Sequence, residues 1–426
     1  MKTAAIATLG CKVNQVETSS IVQQLIERNY QIVDFSQTAD IYIINTCTVT
    51  NRTDFKSRNL IRQAQKEKLS NHEIKIIVTG CYAQKEKDEI EALGNIDLIV
   101  DNQSKIDLKL WLDNKHYQFQ DIMQADEMLW NPFDTMHERT RAFIKIQDGC
   151  DYYCTYCAVP YGRGHSRSLD FTEVINQASR LVVKGYQEIV LTGVNLGLYQ
   201  DKKSGKKLSN VIKALVGIDG LKLLRISSIE PDLWKNELFD SIAYSDNVCP
   251  HFHIPLQSGS DSVLQRMGRR YSVQDINEIC ARLRSIKPNC AIGLDIICGF
   301  PGETENEFEQ TADLLTSLPI SYLHVFSYSK RKRTPAASML HQVKGDVIRQ
   351  RTNILTELSN LKKQDYILEL ITDKTKLKGI IEKNSNGTGT SLSDHYIRLY
   401  KADKNLKVNS FISGEGVKQY KDGILI

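Results

Sequence analysis

The sequence predicts an α/β protein in three parts: an N-terminal parallel-sheet α/β domain over residues 1–125, a central partial (β/α)6 barrel of TIM type over 136–363, and a small C-terminal β-barrel over 364–426. Three observations carry this division. Short apolar runs alternate with helical patterns in the first part, six strand patterns separated by helices follow in the second, and the tail changes to short strands set between Gly, Asn, Asp and Lys turns. A chain of 426 residues also exceeds one ordinary core, and its 25% charged and 41% hydrophobic residues exclude wholesale disorder.

In the first part, Ala4 to Leu9, Ile41 to Asn45, Ile74 to Thr79 and Leu98 to Val100 read as strands, with helices after Val16, Arg52 and Gln84. Parallel sheets place ligands beyond the carboxyl ends of their strands. Leu9-Gly10-Cys11, Asn45-Thr46-Cys47 and Thr79-Gly80-Cys81 each put a cysteine there. One such cysteine is ordinarily a small buried thiol; three equivalent ones either converge as a cluster of thiolates near helix N-termini or remain three core residues. Polar residues between Phe119 and Glu138 form the linker.

Strands are predicted in the second part at Ala142 to Gln147, Glu188 to Leu191, Leu223 to Ser227, His251 to Ile254, Ala291 to Ile297 and Tyr322 to Phe326. The first delivers Cys150, Cys154 and Cys157, a Cys-x3-Cys-x2-Cys run. Three thiolates at this spacing can hold three irons of a [4Fe-4S] cube and leave the fourth open, whereas a closed zinc site needs another ligand from elsewhere. An open iron can chelate S-adenosylmethionine, and one electron then yields a 5′-deoxyadenosyl radical. Cys249, Cys280, Cys290 and Cys298 show no ligand spacing and read as buried thiols.

Ile380-Ile381, Tyr396 to Tyr400 and Val408 to Phe411 are the tail's strand candidates, and a small antiparallel barrel follows from them. The tail carries ten lysines and arginines after Ile367 against seven acidic residues, an excess suited to gripping a phosphate backbone or simply to solubility. The run Lys330-Arg331-Lys332-Arg333 is either solvated surface or a phosphate contact. Met1 to Gly10 lacks a signal-peptide pattern and no apolar run approaches a membrane span, so a cytoplasmic location with reduced thiols is expected and no membrane partner.

The Cys150 to Cys157 loop, with Tyr156 between its second and third cysteines, resembles the radical S-adenosylmethionine superfamily. The resemblance implies that the Tyr156 backbone contacts the adenine and that Thr192-Gly193 meets the methionine amino group. Across the chain, Gly10-Cys11-Lys12-Val13-Asn14-Gln15, Asn45-Thr46-Cys47-Thr48-Val49-Thr50, Thr79-Gly80-Cys81-Tyr82-Ala83-Gln84, His253-Ile254-Pro255-Leu256-Gln257-Ser258-Gly259-Ser260 and the stretch from Asp295 to Thr304 resemble methylthiotransferases. The tail resembles a TRAM domain, an RNA-binding β-barrel.

This family resemblance implies two [4Fe-4S] clusters, an auxiliary one on Cys11, Cys47 and Cys81 and a radical one on Cys150, Cys154 and Cys157. It implies S-adenosylmethionine as source of both methyl and radical, a sulfur source, an electron donor of flavodoxin or ferredoxin type, and tRNA as partner. Glu230, His253, Gln257 and Glu303 lie near strand ends, where cofactor or substrate contact and a structural hydrogen bond are equally open. No residue beyond the cluster ligands is assigned a catalytic role. Lys12-Val13-Asn14 and the stretch from Arg163 to Ser168 resemble the branch acting on threonylcarbamoyladenosine in tRNA; the resemblance then favours a phosphate contact for Lys330 to Arg333. Isopentenyladenosine tRNA or a ribosomal-protein aspartate are alternative targets, and a non-catalytic iron-sulfur RNA-binding protein is the alternative of another class.

Overall fold

A computed structural model describes residues 1–114, 116–136 and 139–426. Glu138, the end of the predicted linker, lies outside the described residues. The N-terminal part is built from β1 (Lys2–Thr8), α1 (Lys12–Glu27), β2 (Tyr30–Val33), β3 (Ile41–Thr46), α2 (Asn51–Ser70), β4 (Lys75–Gly80), α3 (Cys81–Lys85), α4 (Lys87–Glu91) and β5 (Leu98–Ile99). The strands form one parallel sheet in the order β2-β1-β3-β4-β5. β3 is buried along its whole length, which is why Ile-Tyr-Ile-Ile reads as an unbroken apolar run. β2 was not foreseen: an edge strand of four half-exposed or exposed residues carries too little apolar signal.

The barrel follows with β6 (Ala142–Lys145), β7 (Gln147–Asp148), α5 (Val159–Arg163), β8 (Arg167–Ser168), α6 (Phe171–Val183), β9 (Glu188–Thr192), α7 (Leu208–Leu215), β10 (Leu223–Ile226), α8 (Asn236–Ala243), β11 (His251–Gln257), α9 (Asp261–Met267), α10 (Val273–Ile286), β12 (Ala291–Cys298), α11 (Glu305–Ser317) and β13 (Tyr322–Ser327). Its six long strands are parallel within two runs, β6-β9-β10 and β11-β12-β13, joined by a bridge between Leu224 and Val248. Outward residues such as Ile189, Leu191, Leu224 and Ile226 pack under the helices. β10 to β13 also carry Arg225, His253, Asp295 and His324, which meet one another or charged neighbours instead of joining that core.

A 28-residue helix, α12 (Gly345–Thr372), runs from the barrel into the tail across the predicted start of the third part. The tail sheet comprises β14 (Lys376–Ser385), β15 (Thr388–Ser393), β16 (Arg398–Ala402), β17 (Phe411–Glu415), β18 (Lys418–Tyr420) and β19 (Gly423–Leu425). It is not wholly antiparallel: β16 and β19 pair in parallel. The tail sits against the barrel through the turn after β15, where Ser393 and Asp394 carbonyls accept from Arg225 at 2.9 and 3.2 Å. There Tyr396 stacks on His251 with centroids 4.1 Å apart.

Candidate functional site

Cys11, Cys47 and Cys81 are brought together because β1, β3 and β4 are adjacent and in register, Thr8 pairing with Asn45 and Thr46 with Gly80. The glycines before two of these cysteines permit the approach. Gly10 has φ +96°, and a Cβ there would lie 2.6 Å from both Cβ and Sγ of Cys47; Gly80 has φ +98°, and a Cβ would lie 2.2 Å from the Thr46 carbonyl oxygen. Neighbouring polar side chains tie the ends: Asn14 Nδ2 donates to the Leu9 and Thr46 carbonyls at 2.7 and 3.0 Å, and Thr46 Oγ1 donates to the Thr79 carbonyl at 2.5 Å. These bonds give roles to Asn14, three residues after Cys11, and to Thr46, beside Cys47.

Cys47 and Cys81 are buried, while Cys11 is exposed at the lip of the site. Burial chiefly, with Cys81 and Cys11 acting the same way, pushes the Cys47 thiol up to about 12. Cys11 is also raised, first by the protein packed around it, with Arg163 opposing and Cys81 reinforcing. Buried cysteines gathered in one pocket suit an iron-sulfur cluster, whose metal charge offsets what burial costs their thiolates.

Cys150, Cys154 and Cys157 lie on the loop between β7 and α5. Arg269 Nη1 donates to Cys154 Sγ at 3.0 Å, and Asn195 Nδ2 lies 3.8 Å from Cys150 Sγ. The Thr155 amide donates to the Met267 carbonyl at 2.9 Å and so pins the loop to the end of α9. Burial raises Cys150 to about 11 and Cys157 to about 12. Among the described residues neither trio has all three sulfurs within 4.8 Å of one another. A single tetrahedral zinc with bonds of about 2.3 Å would hold its sulfurs closer than that; three corners of a cube are wider. Three cysteines in each set match the donors that a [4Fe-4S] cluster with one open corner takes.

The two trios are joined through α5, which starts two residues after Cys157. Its last residue, Arg163, is buried and donates through Nε to Cys81 Sγ at 3.2 Å. The same guanidinium binds Asn14, Glu17 and Asp148, with Glu17 Oε2 at 3.0 Å and Asp148 Oδ2 at 3.2 Å. Lys105 and Lys145 reach Glu17 at 2.5 and 2.7 Å. Burial alone would lift the carboxyls, but these cations outweigh it and hold Glu17 well below its usual range and Asp148 at about 2.

Tyr156 is enclosed against Phe300 in an edge contact with centroids 6.5 Å apart, and its hydroxyl is 3.4 Å from Arg269 Nη1. Thr192 ends β9, where its carbonyl accepts from the Ile146 amide at 3.0 Å, and Gly193 passes against the Gln147 side chain. Glu230 pairs with Arg269, so it reaches the cysteine loop through that arginine. Gln257 is at φ +70°, after an irregularity in β11. It lines a cavity of about 250 Å³ with Tyr156, Cys157, Asp295 and Phe326, and Val49 and Thr50 from the N-terminal part line it too.

His253 lies four residues before Gln257, near the start of β11. Its Nδ1 hydrogen-bonds Ser228 Oγ at 2.7 Å, and Nε2 lies 3.1 Å from His324 Nδ1 and 3.2 Å from Asp295 Oδ1. Glu303 instead serves packing: it pairs with Arg351 at 2.6 Å and accepts from the Gly299 amide at 3.1 Å. The sequence marks Arg163 only as part of a motif stretch and does not mark Arg269, Asn195 or Glu17, because partners 45 to 146 residues away leave no local spacing. The expectation of a phosphate contact at Lys330 to Arg333 is corrected at Arg331. That side chain is buried, bound to Asp54 Oδ2 and Thr48 Oγ1 at 2.6 Å each, whereas Lys330, Lys332 and Arg333 are exposed.

Residues 3–101 match the model of Uncharacterized protein family UPF0004, and residues 144–315 that of the Radical SAM superfamily. The chain is 41% identical to the threonylcarbamoyladenosine tRNA methylthiotransferase of Bacillus subtilis (strain 168), over 94% of this chain and 90% of that one. It is 35% identical to the Rickettsia prowazekii protein of the same name, over 96% and 94%. A tRNA-2-methylthio-N(6)-dimethylallyladenosine synthase of Clostridium novyi is 32% identical over 83% and 80%. Among solved structures, the radical S-adenosylmethionine methyltransferase TsrM of Kitasatospora setae matches with a TM-score of 0.60 at 14% identity, over 79% of this chain and 77% of that one. That likeness supports the fold. With both cysteine trios in place and similarity running through nearly the whole chain, the protein belongs to the radical S-adenosylmethionine methylthiotransferase family.

Proposed function

We propose that this chain converts N6-threonylcarbamoyladenosine beside the tRNA anticodon to its 2-methylthio derivative. The carrying observation is α5, which ties a radical-type cysteine loop to a second cysteine trio through Arg163 and Cys81. The relatives named for this reaction, at 41% and 35% identity, agree with it. In this reading Cys150, Cys154 and Cys157 hold the radical cluster and Cys11, Cys47 and Cys81 the auxiliary one. When bound, the two clusters and S-adenosylmethionine supply the one-electron, sulfur and methyl chemistry.

The protein's part is binding and placement. Tyr156, Thr192, Gly193 and Gln257 would line the S-adenosylmethionine site, Glu230 would orient Arg269 against the cluster loop, and His253 would face the substrate. Arg163 and Arg269 would each donate to a ligand sulfur, which favours the thiolate. Residues 1–125 would serve as the methylthiotransferase domain, 136–363 as the radical domain and 364–426 as a TRAM domain gripping tRNA through exposed Lys404, Lys407 and Lys418. Sulfur would come from a separate source, electrons from a flavodoxin- or ferredoxin-like donor, and the location would be the cytoplasm; among the described residues no helix is long and apolar enough to cross a membrane.

Anaerobic reconstitution tests this. About eight irons per chain are expected, falling to about four in Cys47→Ala with the radical-type cluster retained. Threonylcarbamoylated tRNA should yield the methylthio nucleoside by mass spectrometry. About four irons in the unaltered protein would overturn the auxiliary assignment, and persistence of the methylthio nucleoside in a deletion strain would overturn the substrate.

A further inference from the structure

Lys12 is the first residue of α1, immediately after Cys11, and its Nζ reaches out of the N-terminal part to Ser227 Oγ at the carboxyl end of β10, 3.4 Å away. The cations around it are all spoken for. Arg225 is paired with Glu188 Oε1 at 2.8 Å, and Arg141 with Glu382 Oε1 at 2.8 Å. For Lys12, among the described residues, no carboxylate oxygen lies within 4.0 Å. Glu188 is the acid whose field it feels, and that residue sits three positions further down β9 than Leu191, whose carbonyl holds the Ser227 amide.

The surrounding wall is polar. Beside Ser227, Ser228 hydrogen-bonds His253, and His253 in turn meets His324 and Asp295 on the next two strands. Past Ser228 the chain reaches Glu230, whose partner Arg269 touches Cys154. Lys12 thus stands between one cysteine trio and the wall that leads to the other.

We propose that the Lys12 ammonium receives the free carboxylate of the substrate's threonyl group, forming a carboxylate subsite between α1 and the end of β10. This rests on the functional reading above and gives it a discriminating residue. A threonylcarbamoyl group ends in an ionised carboxylate at neutral pH; an isopentenyl group has no polar atom. An apolar substituent here would leave the Lys12 ammonium without a carboxylate partner, a penalty that discriminates more strongly than a missing methylene does.

The test uses reconstituted holoenzyme and two anticodon stem-loops, one bearing N6-threonylcarbamoyladenosine and one bearing its carboxamide, which removes the charge and keeps the shape. The unaltered enzyme should prefer the carboxylate substrate in kcat/KM by roughly tenfold to a hundredfold. Lys12→Gln should bring that ratio to about one and Lys12→Arg should keep most of it. Because each variant is compared with itself on two substrates, cluster loss in a variant cancels. An unaltered enzyme that treats both stem-loops alike would overturn the subsite, as would an undiminished ratio in Lys12→Gln. No methylthio product from either stem-loop would overturn the functional reading and the subsite with it.

Discussion

Arg163 shows how much one side chain carries here. It is about 1% exposed, satisfies Glu17, Asn14 and Asp148, and donates to a cysteine sulfur on another part of the chain. Buried ion pairs are expensive to assemble and much more expensive to break on one side, because the remaining charge is left without a partner. Arg163→Met should therefore lower the stability of the anaerobic holoprotein by about 3–5 kcal/mol in urea unfolding. It should also lose iron from the N-terminal site first. A loss below about 1 kcal/mol would mean that Lys105 and Lys145 suffice for Glu17 and Asp148. The cysteines themselves were legible in the sequence, since each follows a strand whose end must reach a ligand-binding edge. Arg163 was not, because a long-range guanidinium contact leaves no periodicity.

At the level of elements, some helix starts are set by a local polar cap. α11 opens with Thr304 as cap and Glu307 three residues on, a reciprocal pair in which the Thr304 amide donates to Glu307 Oε2 at 2.9 Å. Arg266 from α9 adds two bonds to the same carboxylate, both 2.9 Å. Hydrogen bonds from Arg266 chiefly hold Glu307 at about 2, against the mild upward push of burial. The sign follows from linkage: a carboxyl depressed on folding contributes stability that is complete above its unfolded value of about 4.3 and fades as pH falls toward 2. Glu307→Gln should cost about 1–2 kcal/mol at pH 7, and its gap from the unaltered protein should narrow as pH falls below about 4.5. Urea midpoints at pH 7 and pH 4 check this; a gap that widens at pH 4 would contradict it. β15 escaped prediction. Thr-Gly-Thr-Ser-Leu-Ser buries alternate small residues, Gly389, Ser391 and Ser393, so the period of two is present without an apolar pattern to show it.

For the whole molecule, buried polar contacts tie the N-terminal part to the barrel at more than one place, at Arg163 and at Arg331, and the run from Lys330 to Arg333 divides between clamp and surface. Arg331 crosses from the barrel to Thr48, Asn51 and Asp54, the stretch that follows Cys47 and opens α2. It thereby fixes the loop on which one cluster ligand sits. Its neighbours Lys330 and Arg333 are exposed, and Lys332 reaches only Glu89 at the surface. Two outcomes follow that a uniform basic patch would not give. Arg331→Ala should cost about 3–5 kcal/mol because Asp54 loses its buried partner, and hydrogen exchange should quicken across residues 47–54. A double-mutant cycle with Asp54→Asn should return a coupling of at least about 1 kcal/mol. The salt dependence of tRNA affinity should stay as it is, since a buried, paired guanidinium displaces no counterion. Lys330→Ala and Arg333→Ala should behave in reverse, leaving stability within about 0.5 kcal/mol and flattening the slope of log affinity against log salt by about one each. If Arg331→Ala flattens that slope while exchange over 47–54 is unchanged, the clamp is a phosphate contact after all, and the Cys47 loop must be held by α2 alone.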